Sequence, residues 1–289
     1  MMTIKAFIKR RAVLAFFVLA FTISWIGILL IVGGLRTFLD SKGDFDALFL
    51  YVMMAWLAGP SIASIVMTAF VADMAGLRDL LARLTRWRVG GRWYAVALLL
   101  APLLYVTVAL ALALTSPAFL PGIFVTHDKA SLLLMGLGYG LIGGGFLEEL
   151  GWTGFAIPRL RQHYGIFGTG MIVGLLWGAY HFSVVFWATG PSSALELGLI
   201  LPLQLFAWLP AFRVLMVWVY DRTESLLVAM LMHASLTAGM LILQPLAMSG
   251  MTLFVWLLAW AAAWWVVVAA VAVANHGQIA RQPLSGQMA

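Results

Sequence analysis

Eight long apolar stretches follow one another along the chain, and they restrict its fold more than any other feature of the sequence. A helix needs about 20 mostly apolar residues to cross the hydrocarbon core of a bilayer, and every stretch reaches that length. We therefore predict an all-α polytopic membrane protein with about eight transmembrane helices, built as one integral membrane domain over residues 1–289. The stretches cover about 12–34, 46–72, 93–114, 130–156, 166–188, 194–218, 224–246 and 251–274.

The composition excludes several other classes of protein. With 64% hydrophobic and 10% charged residues, the chain cannot supply the polar surface that a soluble domain of this size needs. The absence of cysteine excludes disulfides, a thiolate nucleophile and thiolate metal ligands. The net charge of +6 does not indicate nucleic-acid binding, because the basic residues lie between the apolar stretches, where they contact lipid headgroups.

The basic residues also predict the orientation of the chain. If both termini are cytoplasmic, 14 of the 17 Lys and Arg residues face the cytoplasm, as the positive-inside rule requires. We therefore expect N-in and C-in termini, and an integral protein of a bacterial cytoplasmic membrane. The 14 residues are Lys5, Lys9, Arg10, Arg11, Arg78, Arg83, Arg86, Arg88, Arg92, Arg159, Arg161, Arg213, Arg222 and Arg281.

A basic segment over Gly76–Trp93 combines Leu and Arg at helical spacing. This pattern predicts an amphipathic helix on the inner leaflet, and a topology anchor is favoured over a surface that recruits lipid or substrate.

Two acids and two histidines lie inside predicted spans. Glu148 and Glu149 are in the fourth stretch, His181 in the fifth and His233 in the seventh. Each costs at least a few kcal/mol at that depth unless it is paired or hydrated. We expect the four to share one cavity inside the bundle, where Glu–His pairing offsets their desolvation. Adjacent helical residues project about 100° apart, so only one glutamate can face the histidines and the other needs a different partner.

Glycines precede the two glutamates at a regular spacing. Gly136, Gly140 and Gly144 recur every four residues, which predicts a stripe where another helix approaches closely.

Two kinds of hydrolytic chemistry fit these residues. A glutamate can deprotonate a water that a histidine holds, while a second histidine stabilises the oxyanion. Alternatively the same residues ligate Zn²⁺, which lowers the pKa of its bound water, although no HExxH sequence is present. Ser183 and Ser235 lie near the histidines but lack the sequence context of a nucleophilic serine.

Three segments in this order and spacing resemble a known family. They are "EELGWTGFAIPRL" (148–160), "WGAYH" (177–181) and "LMHASLTAG" (231–239). They are similar to the three motifs of the CAAX protease and bacteriocin-processing (CPBP, or Abi) family of intramembrane proteases, which includes the type II CAAX prenyl endopeptidases. We place the catalytic core of this kind at 130–240.

The resemblance implies roles for the intramembrane residues. Glu148 and His181 would activate the hydrolytic water, His233 would help to stabilise the oxyanion, and Glu149 would be a supporting acid. Trp177 would be the aromatic residue that precedes the second motif's histidine. The resemblance leaves open whether Glu148, His181 and His233 bind Zn²⁺ or act without a metal.

The chain departs from the family motifs at two positions. Thr153 stands where the first motif has Arg, and Thr237 stands where the third motif has Asn. An Arg at position 153 would pair with Glu149 one helical turn earlier, so Glu149 needs either another partner, for which Arg159 is a candidate, or a proton. Thr237 keeps a hydroxyl donor.

We therefore expect an intramembrane endopeptidase that cuts a membrane-anchored peptide or protein of the lipidated or bacteriocin-like kind. One alternative is a catalytically weak bacteriocin-immunity or membrane-partner protein, which the two threonines favour. Another is a proton-coupled transporter, against which the lack of an internal repeat counts.

Overall fold

The computed structural model describes residues 4–40, 45–190 and 193–275. Within them, eight helices are long and apolar enough to cross a membrane, which confirms the predicted class and number. The predicted loop and tail residues Lys42, Asp44, His276 and Arg281 lie outside the described residues. The eight helices are α1 (Ala12–Val32), α2 (Phe45–Leu84), α3 (Gly91–Ala113), α4 (Lys129–Leu160), α5 (Ile166–Thr189), α6 (Glu196–Thr223), α7 (Leu226–Leu243) and α8 (Gly250–Ala274).

Short helical segments lie before α1, directly after α1 and in the loop between α3 and α4. They are Ile4–Arg10, Leu35–Asp40, the 3₁₀ turn Pro117–Phe119 and Gly122–Val125. Asp128 follows them and caps the start of α4 by accepting a hydrogen bond from the Ser131 backbone N–H at 3.0 Å. Hydrogen bonds from the Ser131 side chain and backbone lower the pKa of Asp128.

Helix α2 is longer than the sequence predicts. It bends at Asp73, whose φ of 53° is outside the helical range, and continues to Leu84. The predicted amphipathic segment Gly76–Trp93 is therefore helical only as far as Leu84, and α3 begins at Gly91. After the bend, Leu80 packs in a small apolar cluster with residues of α4 and α7, so the segment is attached to the bundle.

Helices α6 and α7 form the centre of the bundle. In each, 72% of the apolar window is buried, compared with 33% in α1 and 28% in α3 and α8, which leave most of their surface to lipid. Helix α7 packs against α3, α4 and α6, while α1 packs on α2 and α5 packs on α6. The central helices are therefore where ionisable side chains can be kept from lipid.

The predicted glycine stripe lies at the contact between α4 and α7. A Cβ atom at Gly140 would be 2.6 Å from the carbonyl oxygen of Ala234, and one at Gly136 would be 2.5 Å from Ile242. Only glycine permits this approach. The close packing brings α7 against the turn of α4 that carries the glutamates.

Helix α4 is not a regular α-helix around the two glutamates. Wide π-helical turns cover Gly140–Glu148 and Trp152–Ala156, on either side of a short α-helical stretch. Such turns displace backbone carbonyls from their usual partners. Two serines of α2 bond to carbonyls here: Ser61 Oγ donates to Leu147 at 2.5 Å, and Ser64 Oγ donates to Leu150 at 2.6 Å. These bonds hold the backbone on both sides of the glutamates.

We predict that the double substitution Ser61→Ala and Ser64→Ala destabilises the protein. Each buried carbonyl that loses its donor should cost about 1–3 kcal/mol, so thermal unfolding in detergent should begin several degrees lower. Thr85→Ala is the matched control, because the Thr85 hydroxyl also donates to a backbone carbonyl but is exposed. If the double serine variant melted at the same temperature as Thr85→Ala, the two serines would not stabilise α4.

Candidate functional site

Three of the four predicted intramembrane residues, Glu148, His181 and His233, contact one side chain, Trp177 of α5, and Glu149 joins them through His233. The Trp177 indole N–H donates to Glu148 at 2.7 Å. Its ring packs edge-on against His181 and His233, with centroid separations of 4.8 and 5.0 Å. The glutamates and histidines therefore lie close together around Trp177, which precedes His181 by one helical turn.

Glu148 is held by two indoles. Trp152 Nε1, four residues later on α4, donates to Oε2 at 2.9 Å, and Trp177 Nε1 donates to the same oxygen. Glu148 is only 1% exposed. Both bonds are made to Oε2, so within the described residues Oε1 is left for another partner. Trp152 is a site residue that the sequence analysis missed, although its spacing of four from Glu148 could have shown it.

His181 is half-buried and has a defined tautomer. Its Nδ1 lies 2.8 Å from the carbonyl oxygen of Trp177, which can only accept, so Nδ1 carries the hydrogen. The lone pair of the neutral ring is then on Nε2. Trp56 packs edge-on against the ring at a centroid separation of 4.8 Å. Glu148 and His181 both contact the side chain of Trp177, so the two predicted water-activating groups are neighbours.

The glutamate that bonds directly to a histidine is Glu149. His233 Nδ1 lies 2.7 Å from Glu149 Oε1, and both side chains are almost completely buried. The other edge of the His233 ring faces α4, since its Nε2 would be 3.1 Å from a Cβ atom at Gly144. Glycine at this position makes room for the imidazole, one helical turn before Glu148.

The cation that pairs with Glu149 is Arg213 of α6. Arg213 Nη1 donates to Glu149 Oε1 at 2.7 Å, and neither side chain has any exposed surface. The sequence analysis assigned Arg213 to the cytoplasmic surface, and that assignment is wrong because the residue is 0% exposed. One signal was available: Arg213 falls within the sixth predicted stretch, 194–218, rather than at its end.

The proposed partner of Glu149, Arg159, is placed differently. Arg159 Nη1 donates to the carbonyl oxygen of Phe155 at 3.0 Å, and its guanidinium lies 3.7 Å from the centroid of the Phe155 ring. Thr153 takes part instead, since its hydroxyl donates to Glu149 Oε2. Glu149 is thus satisfied by Thr153, Arg213 and His233.

Thr237 lies beside His233, on the side that faces α4. Both Thr237 Oγ1 and His233 Nε2 occupy the space next to Gly144, where a side chain would collide with them. The hydroxyl of Thr237 therefore lies near the edge of the His233 imidazole. Ser183 and Ser235 do not join this cluster, and Ser235 Oγ donates to the carbonyl oxygen of Ala97 at 2.5 Å.

The side chains do not fit a zinc ion in this arrangement. Zinc sites in proteins use three or four ligands at about 2.0–2.3 Å. Within the described parts of the chain, no group of three or more His, Cys, Asp or Glu side chains has the spacing to hold a metal ion. Glu149 is also committed to Arg213 and His233, so it is not a free ligand.

An apolar groove runs along the membrane-facing side of α7. It has a volume of about 380 Å³ and is bounded by α3, α4 and α7, for example by Leu98, Leu141 and Ala238. Ala234 and Ser235, the two residues after His233, also line it. The groove therefore lies at the outer surface of the bundle, where Leu98 and Leu141 are exposed, beside the helix that carries His233.

Comparison with known proteins gives two matches. Residues 129–239 match the family model described as type II CAAX prenyl endopeptidase Rce1-like. The chain is 23% identical over 158 residues to a protein named CAAX prenyl protease 2 from Methanococcus maripaludis, an alignment that covers 52% of this chain and 55% of the relative. The chain thus spans about half the length of the curated relative that it matches.

The matched segment includes both glutamates, both histidines and Arg213. The two matches agree with the resemblance that the three sequence motifs indicate. They confirm that resemblance over residues 129–239, where the chain is similar to the type II CAAX prenyl endopeptidases.

Proposed function

We propose that this protein is an intramembrane endopeptidase that hydrolyses a peptide bond of a membrane-anchored substrate with a water activated by Glu148 and His181. The observation that carries the proposal is the position of Trp177, which contacts Glu148, His181 and His233 at once. Trp177 thereby holds a base, an imidazole acceptor and a second imidazole close enough to act on one water and one peptide bond.

Glu148 is the proposed general base. Its Oε2 is fixed by two indole donors, which leaves Oε1 to accept a proton from water. The oxygen of the water then bonds to the carbonyl carbon of the substrate, and the carbonyl electron pair moves onto its oxygen. When the C–N bond breaks, the proton held by Glu148 passes to the leaving nitrogen. Acid and carboxylate forms of Glu148 therefore alternate through one turnover.

His181 is the proposed holder of this water. Because its Nδ1–H is bonded to the Trp177 carbonyl, its Nε2 lone pair can accept the second hydrogen of the water. The flanking rings of Trp56 and Trp177 restrict the orientation of the imidazole. The water is thus held by two acceptors whose directions are set by the protein, which favours attack in one direction.

His233 is the proposed donor to the oxyanion. To donate from Nε2 while Nδ1–H is bonded to Glu149, it must be an imidazolium. The charges of the buried cluster agree with that state, since the carboxylates of Glu148 and Glu149 are then balanced by Arg213 and His233. A neutral cluster is the one that costs least in a membrane interior. The Thr237 hydroxyl is placed to add a second donor.

The proposed substrate is attached to the membrane by a lipid or apolar anchor. Two observations support it: the relative is named a CAAX prenyl protease, and the apolar groove lies beside α7, the helix that carries His233. A chain of methylene or isoprene units in this groove would keep its attached peptide close to the site. Each buried methylene contributes about 0.8 kcal/mol to such binding.

We predict that Glu148→Gln abolishes most of the proposed activity. The assay is cleavage of an internally quenched, S-farnesylated peptide with a CAAX ending by the purified full-length protein in lipid vesicles. Loss of a general base should lower kcat roughly 10²–10⁴-fold, and His181→Ala should have a comparable effect. Glu224→Gln, at an exposed glutamate that pairs with Arg86, is the matched control. Cleavage by Glu148→Gln at the control rate would disprove the assigned role.

We also predict that the lipid anchor matters through the groove. A farnesylated peptide should be cleaved with a KM about tenfold lower than the same peptide without a lipid. Leu141→Trp should fill the groove and raise the KM for the lipidated peptide while leaving the unlipidated one unchanged. If the unmodified protein had the same KM for both peptides, the lipid would not bind in the groove.

The orientation that we propose has both termini in the cytoplasm, in a bacterial cytoplasmic membrane. The basic residues support it, even without Arg213. Since the chain has no cysteine, single cysteines can report on sidedness.

We predict opposite labelling of Arg88→Cys and His127→Cys, which replace exposed residues on different loops. In intact spheroplasts a membrane-impermeant maleimide should label the variant at 127 and should label the variant at 88 only after permeabilisation. The reverse pattern would invert the topology.

A further inference from the structure

Arg213 is a buried cation with one anionic partner. Its Nη1 bonds to Glu149, whereas its Nε and Nη2 atoms have no hydrogen-bond partner in the described part of the chain. The guanidinium carbon lies over the Trp177 ring, 3.8 Å from the ring centroid. A cation in the membrane interior is costly. The Trp177 ring compensates for only part of the Arg213 charge, and within the described part of the chain the Nε and Nη2 donors find no acceptor. The carboxylate of Glu149 is therefore what retains Arg213 there.

Thr153 and Arg213 approach Glu149 through the same small volume. The Thr153 hydroxyl bonds to Glu149 Oε2, and the Arg213 guanidinium bonds to Oε1. Both also contact the sulfur of Met216, at 3.6 and 3.1 Å. A long cationic side chain at position 153 would thus enter the space that the Arg213 guanidinium now fills. Residues at this spacing of four do meet on α4, as Trp152 and Glu148 show.

Glu149 passes the effect of Arg213 on to His233. The oxygen Oε1 accepts from Arg213 Nη1 and from His233 Nδ1, at 2.7 Å in each case. If Glu149 gained a proton, it would lose its attraction for a protonated imidazole. The state of His233 therefore depends on a cation that it does not itself bond.

We propose that Arg213 is a positioning residue: it keeps Glu149 ionised, and Glu149 in turn fixes His233 as an imidazolium that presents Nε2–H beside Gly144. With Arg213 present, two carboxylates and two cations balance. Without it the cluster has one excess negative charge, and Glu149 takes up a proton. The catalytic consequence rests on the proposed function, but the protonation of Glu149 does not.

Infrared spectroscopy can test this protonation directly. A protonated carboxyl group has a carbonyl stretch that is separate from the amide bands, and its detection does not require a reagent to reach a buried site. We expect no such band from Glu149 in the unmodified full-length protein in lipid vesicles at neutral pH. Arg213→Met should produce one. The band should disappear in Arg213→Met with Glu149→Gln and persist in Arg213→Met with Glu148→Gln.

Moving the cation from α6 to α4 should restore the ionised state of Glu149. In the double variant Thr153→Arg with Arg213→Thr, the charge reaches Glu149 from α4 instead of α6, so the carboxyl band should be absent again. Arg161→Met is the matched control, because Arg161 is also buried and pairs with Asp221 at 2.8 Å away from the site. It should lower stability without a Glu149 band, which separates the charge effect from the loss of any buried arginine.

Several outcomes would overturn the proposal. These are the absence of a new band in folded Arg213→Met, a band that belongs to Glu148, or a double variant whose band equals that of Arg213→Met. If Arg213→Met does not fold, Arg213→Lys and the double variant decide the matter. Both retain a cation, so a Glu149 band in either one contradicts the proposed role.

Cleavage of the farnesylated peptide gives a separate readout. Arg213→Met should lower kcat about tenfold or more with little change in KM, because the substrate does not touch Arg213, and the double variant should recover most of it. If the unmodified protein cleaves no peptide, the proposed function fails while the infrared result still tests the inference.

Discussion

The site depends on the compensation of one fully buried carboxylate. Glu149 has no exposed surface, and its partners come from three helices: Thr153 on α4, Arg213 on α6 and His233 on α7. In the interior of a membrane bundle an unpaired carboxylate would be protonated or would disrupt the packing. The ion pair and the hydrogen bonds of Glu149 therefore determine how α4, α6 and α7 are arranged at this depth.

Glu148 has a different environment, although it is the neighbouring residue. It receives two indole N–H groups and no bonded cation, and it faces α5, where Glu149 faces α6 and α7. The angle of about 100° between successive helical side chains makes this division unavoidable. Both oxygens of Glu149 are bonded to partners, whereas Glu148 is bonded through Oε2 alone within the described residues.

The backbone of α4 is adapted to this arrangement. Its π-helical turns surround the glutamates, glycines admit α7 on one side, and the serines of α2 bond to the carbonyls on the other. Gly144 leaves room for the edge of the His233 ring, and Trp177 joins the two histidines to Glu148. Small residues and irregular turns thus let bulky polar groups meet within a tightly packed bundle.

The sequence by itself determined the membrane class, the eight spans and the four intramembrane residues, because hydrophobic length and rare buried charges are local signals. It also indicated that α4 would contact another helix through its glycines. Only the tertiary structure decided which acid bonds to which histidine, that Arg213 rather than Arg159 pairs with Glu149, and that Trp152 and Trp177 hold Glu148. Those pairings join residues up to 84 positions apart, and they follow from how helices pack rather than from any spacing along the chain.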